Sequence, residues 1–170
     1  SFESEKVLAD PTHATLLGGG RQGIAVLSLP QSSMPQKDNV ITKDLGNVVL
    51  FLPGAFTNTG GGGVAANSLV RSSLEAGFVD AMRASQIDPT LATSLRPAGT
   101  AFDLVTHLNG KFKTAFPQGN PKTAPEEPKK EGEEKKDEPA KPTSLTEGTA
   151  DGNVFLIADV DAFYDRFAYN

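Results

Sequence analysis

Asp159, Asp161 and Asp165 follow the apolar run 154–158 and lead into a segment, 161–167, with helical spacing. Carboxylates at the C-terminal ends of strands are where α/β folds hold ligands and metals, so this is the strongest site candidate in the chain. With His107 as a further ligand, Asp159 and Asp161 describe a divalent-metal centre, and hence a metal-dependent hydrolase or ligand-binding enzyme. The competing role is structural: Asp161 caps a helix beginning at Ala162, and Asp165 with Arg166 decorates its outer face. The spacing favours capping, because no fourth oxygen ligand lies nearby in sequence. His107 falls on the more polar side of an alternating segment, where a lone histidine is more often a surface residue than a ligand.

Two glycine runs suggest nucleotide chemistry. Gly18-Gly19-Gly20-Arg21-Gln22-Gly23 fits G-x-G-x-x-G, and residues 60–65 fit the variant ending in Ala. That fingerprint works only where a strand precedes it and a helix opens at its last position, because the helix N-terminus supplies the N–H groups that hold pyrophosphate. Gly23 instead opens a strand, and residues 53–59 separate the second run from the strand before it. Neither run is followed by Gly-Lys-Ser/Thr, so no lysine is placed to reach a terminal phosphate, and this chain is not an ATPase. A nucleotide-binding module at 60–65 stays as a second alternative. There is no G-x-S-x-G elbow, and His13 and His107 lie far apart without a matching acid and serine pattern; a triad would have to be assembled by the fold.

The elements that position these residues are mixed. Strand-like segments fall at 6–9, 24–29, 48–52, 68–71, 100–108, 112–116 and 154–158. The continuous apolar run 154–158 fits a central strand covered on both faces. Residues 102–108 alternate apolar and polar, the pattern of a strand with one drier face, placed nearer an edge. Gly110 marks a bulge or bend before Phe112. Helical spacing appears at 39–45, 74–84, 89–95 and 161–167, the last pairing Phe163 with Phe167. The expected fold is α/β: a mixed, mostly parallel sheet flanked by helices, forming a single domain over residues 1–170.

Residues 121–142 interrupt it with five prolines, six lysines and seven acidic residues, and Ala as the only apolar type. Such a stretch cannot build a core and reads as a solvated, disordered insertion. Overall, 16 basic against 21 acidic residues give a net charge of −5, no footprint for nucleic acid. Without cysteine there are no disulfides or thiolate metal sites. The apolar runs fall far short of the roughly 20 residues that span a bilayer.

Several segments resemble one family in the same order: Leu8-Ala9-Asp10-Pro11, residues 38–45 with Pro53-Gly54-Ala55, Leu69-Val70-Arg71-Ser72-Ser73, residues 110–121, and 153–167 with its Ala-Asp-Val-Asp and Asp-Arg-Phe. That family is the GldG-like, gliding-motility-type auxiliary component of uncharacterised ABC transport systems, and the Gly-Lys-x-Lys-x-Ala-Phe-Pro-x-Gly stretch at 110–119 is its most specific part. The resemblance implies a non-catalytic, extracytoplasmic (periplasmic) accessory domain for binding or scaffolding. Its partners would be the permease and ATPase subunits, it would need no cofactor, and membrane attachment would lie only in segments outside these residues. It also implies an incomplete part of a glutamine-amidotransferase-like or flavodoxin-like domain, whose uncovered sheet edge should self-associate as a homodimer.

The insertion yields a direct test. Replacing residues 121–142 by a short Gly/Ser linker is expected to leave the melting temperature nearly unchanged, since loop length costs only about 0.6 kcal/mol per doubling. A shortened protein that no longer shows a cooperative melt by circular dichroism would overturn the insertion reading.

Overall fold

The computed structural model describes residues 5–36, 38–57, 60–116 and 146–163. The insertion at 121–142, together with Asp165 and Phe167, lies outside them.

Among the described residues eight strands form three small sheets. β1 (Lys6–Ala9) pairs with β6 (Gly77–Asp80); β2 (Ala14–Leu17), β3 (Arg21–Pro30) and β4 (Asn47–Phe51) form the second; β5 (Val64–Arg71), β7 (Asp103–Gly110) and β8 (Gly152–Ile157) form the third. Each pairing is antiparallel. The only α-helices among the described residues are α1 (Ala81–Ser85) and α2 (Thr90–Ser94), five residues each. The expected mostly parallel α/β sheet flanked by helices is therefore wrong. Parallel neighbours need crossovers of a dozen or more residues, whereas β2 reaches β3 through the three-residue turn Gly18–Gly20. Helices of five residues are also too short to cover a sheet face.

The misread segments have local causes. In 74–84 the apolar spacing suggests one helix, but Gly77 and Val79 pair with Ala9 and Val7 of β1. The helix begins only at Ala81, where the Asp80 carboxylate accepts from Arg83 N–H at 2.9 Å. Residues 39–45 form successive turns, and the expected strand 112–116 keeps a single bridge, Lys113 to Glu147. The assignment of centre and edge is inverted: β7 lies between β5 and β8, while β8 is outermost with Val154 and Phe155 exposed. The alternation along β7 has the expected phase, Leu104, Thr106 and Leu108 facing inward.

The strand covered on both faces is β1. Leu8 packs into one core cluster with Leu27, Leu29, Leu50 and Leu104, while Val7 and Ala9 pack into a second with Ile24, Val79 and Leu91. Beside β6, Leu8 N–H donates to the Pro53 carbonyl at 2.7 Å, so β1 is held on its other flank too. α1 ends in a Schellman turn: Asp88 N–H donates to Arg83 C=O and Ile87 N–H to Ala84 C=O, with Ile87 at φ +53°. Hydrogen bonds from Thr90 and then Arg83 hold the Asp88 carboxyl down to about 2, tying α1 to the start of α2.

Both glycine runs lead into strands. Gly61, Gly62 and Gly63 all have positive φ and turn the chain into β5, not a helix. Gly110, at φ +143°, faces this turn, and a Cβ there would fall inside contact distance of the Gly63 carbonyl. Gly110→Ala combines backbone strain with overpacking against a carbonyl that cannot swing away. It should lower unfolding free energy by about 2 kcal/mol or more in urea titration; a midpoint equal to the native protein's would show that the turn has room.

Candidate functional site

Asp10, at the end of β1, is a fully buried carboxylate with four polar contacts. Pro11 opens a three-residue 3₁₀ turn, Pro11–His13, and Asp10 is its cap: Oδ1 accepts from Thr12 N–H at 3.1 Å. The same oxygen accepts from Ser73 Oγ at 2.7 Å, while Oδ2 accepts from Ser73 N–H at 2.7 Å and meets His13 Nδ1 at 2.9 Å. Burial pushes the carboxyl pKa up. The hydrogen bonds from His13 and Ser73, with the charge of the His13 imidazole, outweigh that and hold it below its ordinary value.

The far side of the imidazole continues the chain. His13 Nε2 lies 3.0 Å from Ser33 Oγ, at the end of the 3₁₀ turn Gln31–Ser33 that follows β3. An ionised carboxylate only accepts, so the Asp10 contact is made by a protonated Nδ1; in the tautomer that leaves Nε2 without a proton, Nε2 accepts from Ser33 Oγ. Ser33, His13 and Asp10 thus form a continuous hydroxyl–imidazole–carboxylate relay.

The aspartates singled out from the sequence are placed differently. Asp159 is buried and accepts from Phe51 N–H at 2.6 Å through Oδ2 and from Asp161 N–H at 2.8 Å through Oδ1. It closes the turn before Asp161–Phe163, the capping job expected of Asp161, whose own side chain is exposed. A cleft of about 650 Å³ runs over it, lined also by Lys6, Phe56 and Ala81. His107 stacks on Phe155, with ring centroids 4.5 Å apart, and its Nε2 meets Asn153 Oδ1 at 2.8 Å. It is paired in register with Phe155, four residues before Asp159, about 13 Å along the strand. The fold does not bring His107 to the aspartates, and among the described residues no three His, Asp or Glu gather as a metal site.

A family model described as an ABC-type uncharacterized transport system matches residues 5–170. The chain belongs to this family. It is an auxiliary component of an ABC-type transport system, and so associates with other components of that machine. No curated protein and no solved structure matches it. In this auxiliary component two of the segments carrying the resemblance meet: Asp10 from 8–11 receives both bonds of Ser73 from 69–73. Next to Ser73, Ser72 Oγ accepts from Phe102 N–H, and Arg71 pairs with Asp103 at 2.9 Å.

The sequence signal for the Asp10–His13 half was present: an aspartate, a proline at the first helical position and a histidine at i+3 describe a turn that brings the imidazole back onto the carboxylate. Nothing local marks Ser33, which is 20 residues beyond His13 and arrives only through the β2–β3 pairing.

Asp10→Asn removes a buried charge matched to four contacts and should cost about 2 kcal/mol or more at neutral pH. Since the folded pKa lies below the unfolded value near 3.8, Asp10's contribution is fully present above that value. It is lost as pH falls through the folded pKa. The native protein should therefore lose stability in that acid window with a steeper slope than Asp10→Asn, as read by urea titrations across pH. Equal slopes and equal neutral stability would refute the assignment.

Proposed function

We propose that the chain is an extracytoplasmic accessory domain of the GldG-like, gliding-motility type, which binds or scaffolds the permease and ATPase subunits of its transport system. The observation that carries this reading is the family match across residues 5–170. The finer placement rests on the segments quoted above, chiefly 110–119. Two further features support a role outside nucleotide chemistry. Neither glycine run opens a helix, and the second is folded into a tight turn against β7. Energy for transport would come from the ATPase chain, with this domain contributing no step of ATP hydrolysis and no cofactor. No helix among the described residues is long and apolar enough to cross a membrane, so attachment is proposed through segments outside them. Self-association as a two-fold dimer belongs to the same proposal, supported by outermost β8 with Val154 and Phe155 exposed.

Co-expression with the permease and ATPase of the same system is expected to give a complex that survives affinity purification and gel filtration. Millimolar Mg·ATP should leave the melting temperature of the isolated chain unchanged. A chain that elutes alone, or one stabilised by ATP, would overturn the reading.

A further inference from the structure

The Ser33–His13–Asp10 relay has the connectivity that activates a serine nucleophile: hydroxyl to Nε2, Nδ1 to carboxylate, and the carboxylate locked by other groups. The lock is tight. Ser73 contributes both its N–H and its hydroxyl, each at 2.7 Å, and Thr12 a backbone N–H at 3.1 Å. Asp10 therefore cannot rotate away from the imidazole. His13 is only 13% exposed, so its ring is held in place, while Ser33 is half-buried in a turn whose Gln31 and Ser32 are exposed. Ser33 and His13 are thus both partly open to solvent, side by side.

We propose that Ser33 is an acyl-accepting nucleophile, with His13 its general base and Asp10 the residue that positions His13, acting on carboxylic esters presented at the protein surface. In the acylation step Ser33 Oγ bonds to the ester carbonyl carbon while its proton passes to His13 Nε2. The bond from that carbon to the leaving oxygen then breaks, and the departing alcohol takes the proton from His13. Water repeats the sequence: its proton goes to Nε2, its oxygen attacks the acyl-serine, and Ser33 regains a proton as the carboxylic acid leaves. Water is the one co-reactant, and no oxidant or metal is needed. This activity goes beyond the transport role and stands or falls separately from it.

The test is covalent labelling of the purified chain with a fluorophosphonate probe, followed by intact mass and peptide mapping. One probe per chain is expected on Ser33. Ser33→Ala should abolish labelling, Ser32→Ala should leave it unchanged, and His13→Ala should slow it about 100-fold or more, the lower range for loss of a general base. Asp10→Asn should reduce the rate of covalent capture while leaving the probe concentration at half-saturation unchanged, a split that general loss of structure does not produce. Circular dichroism fixes which variants are folded; should His13→Ala fail to fold, the burst of p-nitrophenol from p-nitrophenyl acetate in the native protein, absent in Ser33→Ala, decides the matter. Labelling that is absent, spread over several serines, or indifferent to His13 would overturn the proposal and leave the relay as a structural clip.

Discussion

An ionised carboxylate placed where water does not reach imposes the strictest demand in this molecule. Burying an unpaired Asp10 would cost several kcal/mol, so the fold is stable only if the end of β1, the Pro11–His13 turn and the segment after β5 arrive together. Thr12 is local, but Ser73 is 63 residues away and supplies two of the bonds. The carboxylate therefore links the first strand to the third sheet, and Ser72 extends the link to Phe102 at the entry of β7. A hydrophobic contact tolerates a shift of an ångström; charge-assisted hydrogen bonds of 2.7 Å do not, and this makes the junction specific as well as stable.

The two core clusters follow from the same placement. β1 has only four residues, yet its alternate side chains feed opposite clusters, so anchoring its end at Asp10 sets the register of both. β3 also reaches both clusters, but by position along its length: Ile24 and Ala25 join one, Leu27 and Leu29 the other. A second buried carboxylate, Asp159, repeats the device at the opposite end of the chain by accepting from Phe51 at the end of β4. Small antiparallel sheets lack the continuous cover that helices give a parallel sheet. Here such long-range polar pins stand in for part of that cover.

How much of this was legible depends on the range of the interactions involved. Strands β1, β3, β4, β5, β7 and β8 were marked by their own apolar patterns, and so was the inward phase of β7. β2 and β6 were not; at β6, Phe78, Ala81 and Met82 also satisfy a helical period, and only pairing of Gly77 and Val79 with β1 decides against it. The apolar run 154–158 suggested a buried centre, yet Val154 and Phe155 are exposed on the outer strand: hydrophobicity alone does not distinguish a covered strand from one with an open face. Among candidate site residues, Asp159 was read as a ligand-site candidate, and its carboxylate accepts from the backbone N–H groups of Phe51 and Asp161. The α/β reading leaned on the run 154–158 as a strand covered by helices, and it failed because the run lies on an outer antiparallel strand and the two α-helices among the described residues have five residues each.

The relay can be divided by what the fold requires. Thr12 and Ser73 already give the Asp10 carboxylate three hydrogen bonds, and these fix β1, the 3₁₀ turn and the end of β5. His13 Nδ1 adds a fourth contact and helps keep the carboxyl ionised. The Nε2–Ser33 contact does neither, because it touches no atom of the carboxylate, and a partly exposed hydrogen bond of this kind is worth only about 1 kcal/mol. The exposed Arg83–Asp88–Thr90 network offers a contrast: Arg83 bonds Thr90 directly and both bond Asp88 in the connection between α1 and α2, so every bond in it ties the two helices and their link together. In the Asp10 relay the last link runs from a locked charge through the imidazole to the hydroxyl of the half-buried Ser33. The Asp10 anchor is complete without that link, and it is the contact a serine nucleophile requires of its base.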